Sequence, residues 1–400
     1  FELLPGTYHF KAEYGGKWLQ QNNIDITTVD KIIFETPKLS VQVLNSSGEG
    51  IEGVRIRYYA SGWKEFGYTD SEGVCQYDLL EGKYHFKAEY QGMSHQLSNI
   101  DVSAVDVVLF TTQNVTSQVL TSMDTPIEDV RIRYYARGWK EFGHTNSDGV
   151  CNMEMFPGKY HFKAYYRGGS LQKSNHNVST TSNVLFQTKN IILRAIYSDG
   201  QPIEDVGMKY YASGWKTFGN TDVGGLCAYE LLPGKYHFKA YYGGASQQKS
   251  NINITNTDEV LFQTLKVDID ALYSNGDGIP NIQLKYYASG WKNFGYTDDY
   301  GDCSKELLPG KYHFKAYYFG KSEQKSNINI SDINPIVYQT INTRIYLFDE
   351  YDNGLEHGHC DFYSSGWKDF GITNFEGVSE LELLQGSYHF KMHYNGSTVQ

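Results

Sequence analysis

Apolar and polar residues alternate along most of this chain with a period of two. In 39–44, Leu39, Val41 and Val43 alternate with Ser40 and Gln42. Such alternation predicts a half-buried β-strand. The same reading predicts strands over 54–59 (Val54, Ile56 and Tyr58 against Arg55, Arg57 and Tyr59), 64–69 around Phe66, and 74–80 (Cys75, Tyr77, Leu79). Three more follow over 84–90 (Tyr84, Phe86, Ala88 and Tyr90 against His85 and Lys87), 94–100 and 107–111. Turn signals separate them: "NSSGEG", "DSEG" and "LEGK". The last reads "LPGK" or "FPGK" elsewhere and predicts a type II turn, Pro second and Gly third. No segment carries a 3.6-residue helical period. Seven short alternating strands predict an antiparallel β-sandwich.

The pattern then recurs. Trp63, Trp139, Trp215, Trp291 and Trp367 stand 76 residues apart, and Tyr8, Tyr84, Tyr160, Tyr236, Tyr312 and Tyr388 keep the same step without insertion or deletion. Fixed self-similarity marks a tandem array, and the period is long enough for a small domain with its own core. The expected repeats are 37–112, 113–188, 189–264 and 265–340. Residues 1–36 are expected to be the C-terminal part of a module and 341–400 the N-terminal part of another, so that the chain is a window on a longer one. Junctions such as "VLFTT" followed by "QNVTSQVL" hold no Gly/Ser linker. Each last strand is expected to feed the next first strand directly, giving a rod with roughly 30–40 Å per module.

The pattern "YYASGW…FG.TD..G…ELLPGKYHF" resembles the repeat modules of very large secreted bacterial surface proteins. More loosely, it resembles collagen-adhesin B-type and carboxypeptidase-regulatory-like modules, whose sandwiches are prealbumin-like. The "TD..G" turn followed by "LLPGKY" is the most specific part, and the likeness covers every repeat. The resemblance implies an extracellular stalk. Some collagen-adhesin B modules carry a Lys–Asn isopeptide bond. Here the first-strand candidates vary (Lys38, Asn114, Asn190, Lys266, Asn342) and the last strands "VLFTT" and "VLFQT" lack an Asn, so the crosslink is not implied. The fold class expected is therefore all-β: a rod-like tandem array of about seven-stranded, Ig-like or prealbumin-like antiparallel β-sandwiches.

Charge narrows the partners. A net charge of −11 argues against nucleic acid or anionic lipid. No apolar run approaches the roughly 18 residues of a membrane span, so no membrane insertion is expected of this segment. Cys75, Cys151, Cys227 and Cys303 occur once per repeat, with Ser379 in that phase of the fifth and Cys360 elsewhere. One Cys per module makes no intramodule disulfide, and both phases face inward, so all five are expected as buried free thiols. No nucleophile–base pair, phosphate loop or recurrent carboxylate pair points to an enzyme, and no cofactor is expected.

Several clusters contain residue types that can bind ligands. "HGHC" at 357–360 suggests metal, but Cys360 faces away from His357 and His359, and no CxxC accompanies it. The recurrent His9, His85, His161, His237, His313 and His389 read as a solvated strand face. The acidic turns "TDSEG", "TNSDG" and "TDDYG" lack the carboxylate density of a calcium loop. No metal is expected at any of these. Asn177, Asn253 and Asn329 share one phase and fit N-x-S/T, as do Asn45, Asn114 and Asn395. The first three are the candidate glycosylation sites.

The aromatic phrase remains. Alternation turns Tyr58 and Phe66 inward and Tyr59 and Trp63 outward. Gly62 is expected to supply a bend, and Gly67 room for a neighbouring ring. An outward pair thus recurs: Tyr59 with Trp63, Tyr135 with Trp139, Tyr211 with Trp215, Tyr287 with Trp291, and Tyr363 with Trp367. The pair either packs on neighbouring modules or further copies of the chain in a fibre, or it stacks on sugar rings. The first reading makes the chain a segment of an extracellular fibre or stalk. The second makes it a multivalent glycan binder.

Overall fold

The computed structural model describes residues 1–400 and contains strands, turns and loops but no helix. The chain divides into two compact units. One comprises Phe1–Asn190 with Glu230–Gly234, the other Ile191–Tyr229 with Lys235–Gln400.

In the first unit, β1 (Thr7–Tyr14) and β2 (Lys17–Asp25) form a hairpin. Seven strands follow: β3 (Lys38–Leu44), β4 (Arg55–Tyr59), β5 (Trp63–Tyr68), β6 (Val74–Asp78), β7 (Lys83–Tyr90), β8 (Met93–Asp101) and β9 (Val107–Thr111). They make two sheets, ordered β6-β3-β9 and β5-β4-β7-β8. One pairing departs from the antiparallel expectation. The first and last strands, β3 and β9, run parallel from Ser40↔Val107 to Leu44↔Thr111. Both sheet orders recur in 113–188, and in the second unit they recur in 265–340. Each repeat is thus an all-β sandwich of seven strands.

The core lies between the sheets. Val41, Val43, Ile56, Phe86 and Ala88 are fully buried. Tyr58 and Phe66 meet edge-to-face at 6.3 Å, and Phe66 meets Phe86 likewise at 5.9 Å. Burying one such side chain contributes about 2–3 kcal/mol, and edge-to-face geometry adds to it.

The most specific motif now has a physical reading. The buried Thr69 hydroxyl accepts from the Val54 amide at 2.9 Å and donates to the Ile51 carbonyl at 2.6 Å. Asp70 Oδ1 accepts from the Glu72 and Val74 amides at 3.0 and 2.9 Å. Asn146 does the same for Asp148 and Val150, so a neutral side chain serves as well as a carboxylate. Gly73, at φ +75°, lies so close to β3 that a Cβ would sit 2.3 Å from the Val43 carbonyl oxygen. "TD..G" is therefore a clip between the two sheets.

Two local features differ from the pattern expected. The "LEGK" and "FPGK" turns are wider than type II, with φ of +128° at Gly82 and +159° at Gly158. They are closed by Tyr84 donating to the Leu80 carbonyl at 2.9 Å and Tyr160 donating to the Phe156 carbonyl at 3.0 Å. Gly67 faces no ring. Its nearest neighbours are the Cβ and Sγ of Cys75, where β5 and β6 meet at the edge of the sandwich.

Candidate functional surface and module junctions

The outer face of the four-stranded sheet carries the recurrent aromatics. β4 and β5 pair with Tyr59 opposite Trp63, and β4 and β7 with Tyr59 opposite His85. The Tyr59 and Trp63 rings meet edge-to-face at 5.6 Å, and the pair recurs as Tyr135–Trp139, Tyr211–Trp215, Tyr287–Trp291 and Tyr363–Trp367 at 5.5–5.7 Å. A lysine from the strand carrying "YHFK" lies over each indole. Lys87 is 4.1 Å from the Trp63 ring, Lys239 4.3 Å from Trp215, Lys315 4.4 Å from Trp291 and Lys391 3.7 Å from Trp367; Lys163 stands at 5.9 Å from Trp139. Each such contact is worth about 0.5–1 kcal/mol at an exposed site. The rings thus meet partners from their own module and keep part of their surface open: Tyr59 is 42% exposed and Trp215 39%. Trp18 repeats the arrangement off-phase, with Lys11 at 4.3 Å.

The recurrent histidines do more than line this face. β8 carries a bulge opposite β7, and Asn99 there adopts φ +59°. His85 Nδ1 accepts the Asn99 amide at 3.3 Å. The contact returns at His9–Asn23, His161–Asn175, His237–Asn251 and His313–Asn327. The imidazole takes the amide that the bulge removes from the ladder.

Junctions are built from residues that alternation does not single out. Between β9 and β10 (Gln113–Leu120) stands one residue, Thr112. Its hydroxyl meets Glu154 Oε2 at 2.5 Å, and Ser46 Oγ meets Glu154 Oε1 at 2.5 Å while the Ser46 amide also donates to that carboxylate. The first unit contains the same pairing of Thr188 and Ser122 with Glu230. The second contains Thr264 and Ser198 with Glu306, and Thr340 and Ser274 with Glu382. A second contact uses the buried tyrosine of β4. Tyr58 donates to the Gly15 carbonyl at 3.0 Å, Tyr134 to Gln91 at 2.9 Å and Tyr286 to Gly243 at 2.7 Å, each in the hairpin of the preceding repeat. In the first unit Arg137 and Glu89 add an ion pair at 3.0 Å, and His95 stacks on Phe156 at 6.1 Å. Beside this junction lies a groove of about 260 Å³ lined by Met93, Ser94, Tyr135, Arg137, Pro157 and Lys159 among others. A counterpart of about 360 Å³ in the second unit includes Ser246, Tyr287, Ser289 and His313.

No family model matches the chain, and no curated protein matches it. Solved structures similar to it include the Bacillus anthracis TIE protein, at 13% identity over 84% of this chain and 72% of that one, with a TM-score of 0.17. GBS52, the minor pilin of Streptococcus agalactiae, matches at 12% identity over 38% of this chain and 94% of its own, TM-score 0.23. BcpA, the major pilin subunit of Bacillus cereus, matches at 11% over 57% and 98%, TM-score 0.17.

The thiols are all free. Cys75 and Cys360 are buried; Cys151, Cys227 and Cys303 are half-buried, short of the full burial expected. Burial pushes the Cys75 thiol up to about 12 and Cys151 and Cys360 up to about 11. The thiolate is the reactive form. Alkylation of the native chain at pH 8 should therefore be slower at these three than in the unfolded chain by at least about 100-fold. Mass spectrometry of quenched samples reads the rates, and labelling of Cys75 at the unfolded rate would contradict its placement.

The candidate glycosylation sites close a strand. Asn177 and Asn253 accept, through Oδ1, the amides of Ser179 (3.2 Å) and Thr255 (3.1 Å). Asn329 does so for Ser331 at 3.4 Å. Asp25 and Asp101 fill this phase in the earlier repeats and accept from Thr27 and Ser103. The phase is one of Asx turns, which Asp and Asn form alike.

Proposed function

We propose that the chain is a structural segment of a long extracellular fibre or adhesin stalk, with a spacing and mechanical role. The observation that carries this is the junction. A single buried Thr connects consecutive repeats, and its hydroxyl bonds a Glu of the following one. A one-residue connection with both neighbours hydrogen-bonded across it resists hinging, unlike a Gly/Ser linker. Conservation of one period and one junction chemistry along the chain suits a spacer whose length scales with repeat number.

In this reading the Tyr–Trp pairs stiffen the outer sheet face and offer contact surface to further copies in a fibre. The rival reading, glycan stacking on the same rings, draws support from their partial exposure and from Tyr135 and Tyr287 bordering the junction grooves. Solution scattering and glycan-array binding of the 400-residue chain test both. The stalk reading expects an extended, stiff particle of roughly 30–40 Å per repeat and no glycan retained. A flexible string of beads would overturn it. Glycan binding that Trp139→Ala and Trp291→Ala abolish would put the rival ahead.

A further inference from the structure

The last repeat differs from the others on one patch of its outer sheet face. The strand His359–Tyr363 pairs with Trp367–Ile372 on one side and His389–Tyr394 on the other, with His359 opposite His393 and Asp361 opposite Lys391. One ring nitrogen of His359, one of His393 and a carboxylate oxygen of Asp361 all lie within 4.8 Å of one another. The two imidazoles face each other at 5.9 Å. We propose that His359, Asp361 and His393 form a site for a borderline divalent metal ion, Zn²⁺ being the best match.

Three observations support it. The first is the donor set. Two neutral imidazoles and a carboxylate are ligands suited to Zn²⁺, with one position left for water or for Asp369.

The second is orientation. His393 Nδ1 is held at 2.8 Å by the Thr398 hydroxyl, which leaves Nε2 3.2 Å from Asp361. His359 Nε2 lies 3.2 Å from Asp369. The Thr398 hydrogen bond fixes the His393 tautomer and aims Nε2 at the site, as in metal-binding histidines generally. The ligand atoms must close by about an ångström from their present spacing to reach bonding distances near 2.0–2.2 Å. Half-exposed side chains on neighbouring strands can do so by rotation alone.

The third is charge. The phase of Asp361 holds a cation in each complete repeat: Arg57, Arg133, Lys209 and Lys285. In 37–112 the neighbouring cation Arg55 is itself paired with Glu65, at 2.7 Å. In the last repeat the cation of the Asp361 phase is replaced by a carboxylate, and His359 and His393 stand where Arg55 and Glu89 do. A bound divalent ion restores the positive charge.

The "HGHC" stretch therefore contains one ligand, His359. His357 is splayed outward at φ +67° beside Glu356, and Cys360 points into the core against Met392.

The test is calorimetric titration of the chelator-treated 400-residue chain with ZnCl₂. The expected result is one site per chain in the micromolar range. His359→Ala and His393→Ala should each weaken binding at least about tenfold, while His357→Ala leaves it unchanged. Asp361→Asn, which keeps size and hydrogen bonding, guards against loss through misfolding and should also weaken binding. Circular dichroism melts without metal should match wild type for all four. No uptake at 100 µM free zinc (~100 times the expected constant), or binding that survives His393→Ala or falls equally in His357→Ala, would overturn the site. The cluster would then be a hydrogen-bond network standing in for the Arg–Glu pairs.

Discussion

Gly301→Ala should lower the melting temperature of its own repeat by roughly 15–20 °C and leave 37–112 and 113–188, which share no junction with it, where they were. Gly301 is the last residue of a "TD..G" clip, at φ +82°. A Cβ there would lie 2.3 Å from the Ala271 carbonyl oxygen, 2.8 Å from the Gly278 Cα and 2.9 Å from the Ile279 amide nitrogen. All three are backbone atoms, so no side chain can turn aside. The left-handed conformation costs an alanine about 1–2 kcal/mol, and moving a strand to relieve the overlap brings the total to at least about 3 kcal/mol. A repeat of this size holds only about 4–11 kcal/mol. Differential scanning calorimetry resolves the outcome as one transition leaving the main peak. A shift below about 5 °C would mean that the clip is slack.

Glu154→Ala should speed hydrogen exchange at the Ser46 amide about 30-fold. That amide and the Ser46 and Thr112 hydroxyls all converge on the Glu154 carboxylate. Hydrogen bonds to a charged group contribute about 1.5–3 kcal/mol when sheltered. Partial exposure reduces the sum, and about 2 kcal/mol for the junction corresponds to that factor in exchange. Glu154→Gln keeps an acceptor and should fall between. Exchange within β7, far from the carboxylate, is the internal control. At the equivalent Glu382, burial alone would raise the carboxyl, but bonds from Ser274 and Thr340 outweigh it and hold it below the usual range. A carboxyl lowered on folding stabilises above its unfolded value, near 4.3, and that contribution is lost as pH falls through the folded value. The Glu382 junction should thus be unaffected between pH 8 and 5 and loosen only below.

Alternation alone located all seven strands of 37–112 within a residue or two, because each strand is half-buried and local period is what burial selects. It also placed Tyr58 and Phe66 inside and Tyr59 and Trp63 outside. The junction lay beyond its reach. Glu154 meets Ser46 across 108 residues and Thr112 across 42, and neither partner breaks an alternation. A signal did exist: Thr112, Thr188, Thr264 and Thr340 recur at the seam, and Glu154, Glu230, Glu306 and Glu382 recur in one phase. Recurrent polar residues at a module edge are partners to be paired across the edge. The bulge escaped for a different reason. The histidine of "YHFK" and the Asn 14 residues later are each ordinary on a solvated face, and only their register shows that one serves the other. The metal candidate needed topology as well, since His359 and His393 are brought together by strands distant in sequence.

The parallel pairing of β3 with β9 decides how a repeat meets tension. The chain comes in at the Lys38 end of β3 and goes out at the Thr111 end of β9, and in a parallel pair these are opposite ends. Pulling on the chain therefore slides the two strands past each other along their length. The hydrogen bonds between them lie across that motion, so five register pairs share the load at once instead of peeling one after another. Thr112 passes the force straight into β10, which is the central strand of the next three-stranded sheet. Resistance to such shear is set by the unfolding rate and not by equilibrium stability. A repeat of modest stability can thus hold under a pull that would unzip a hairpin.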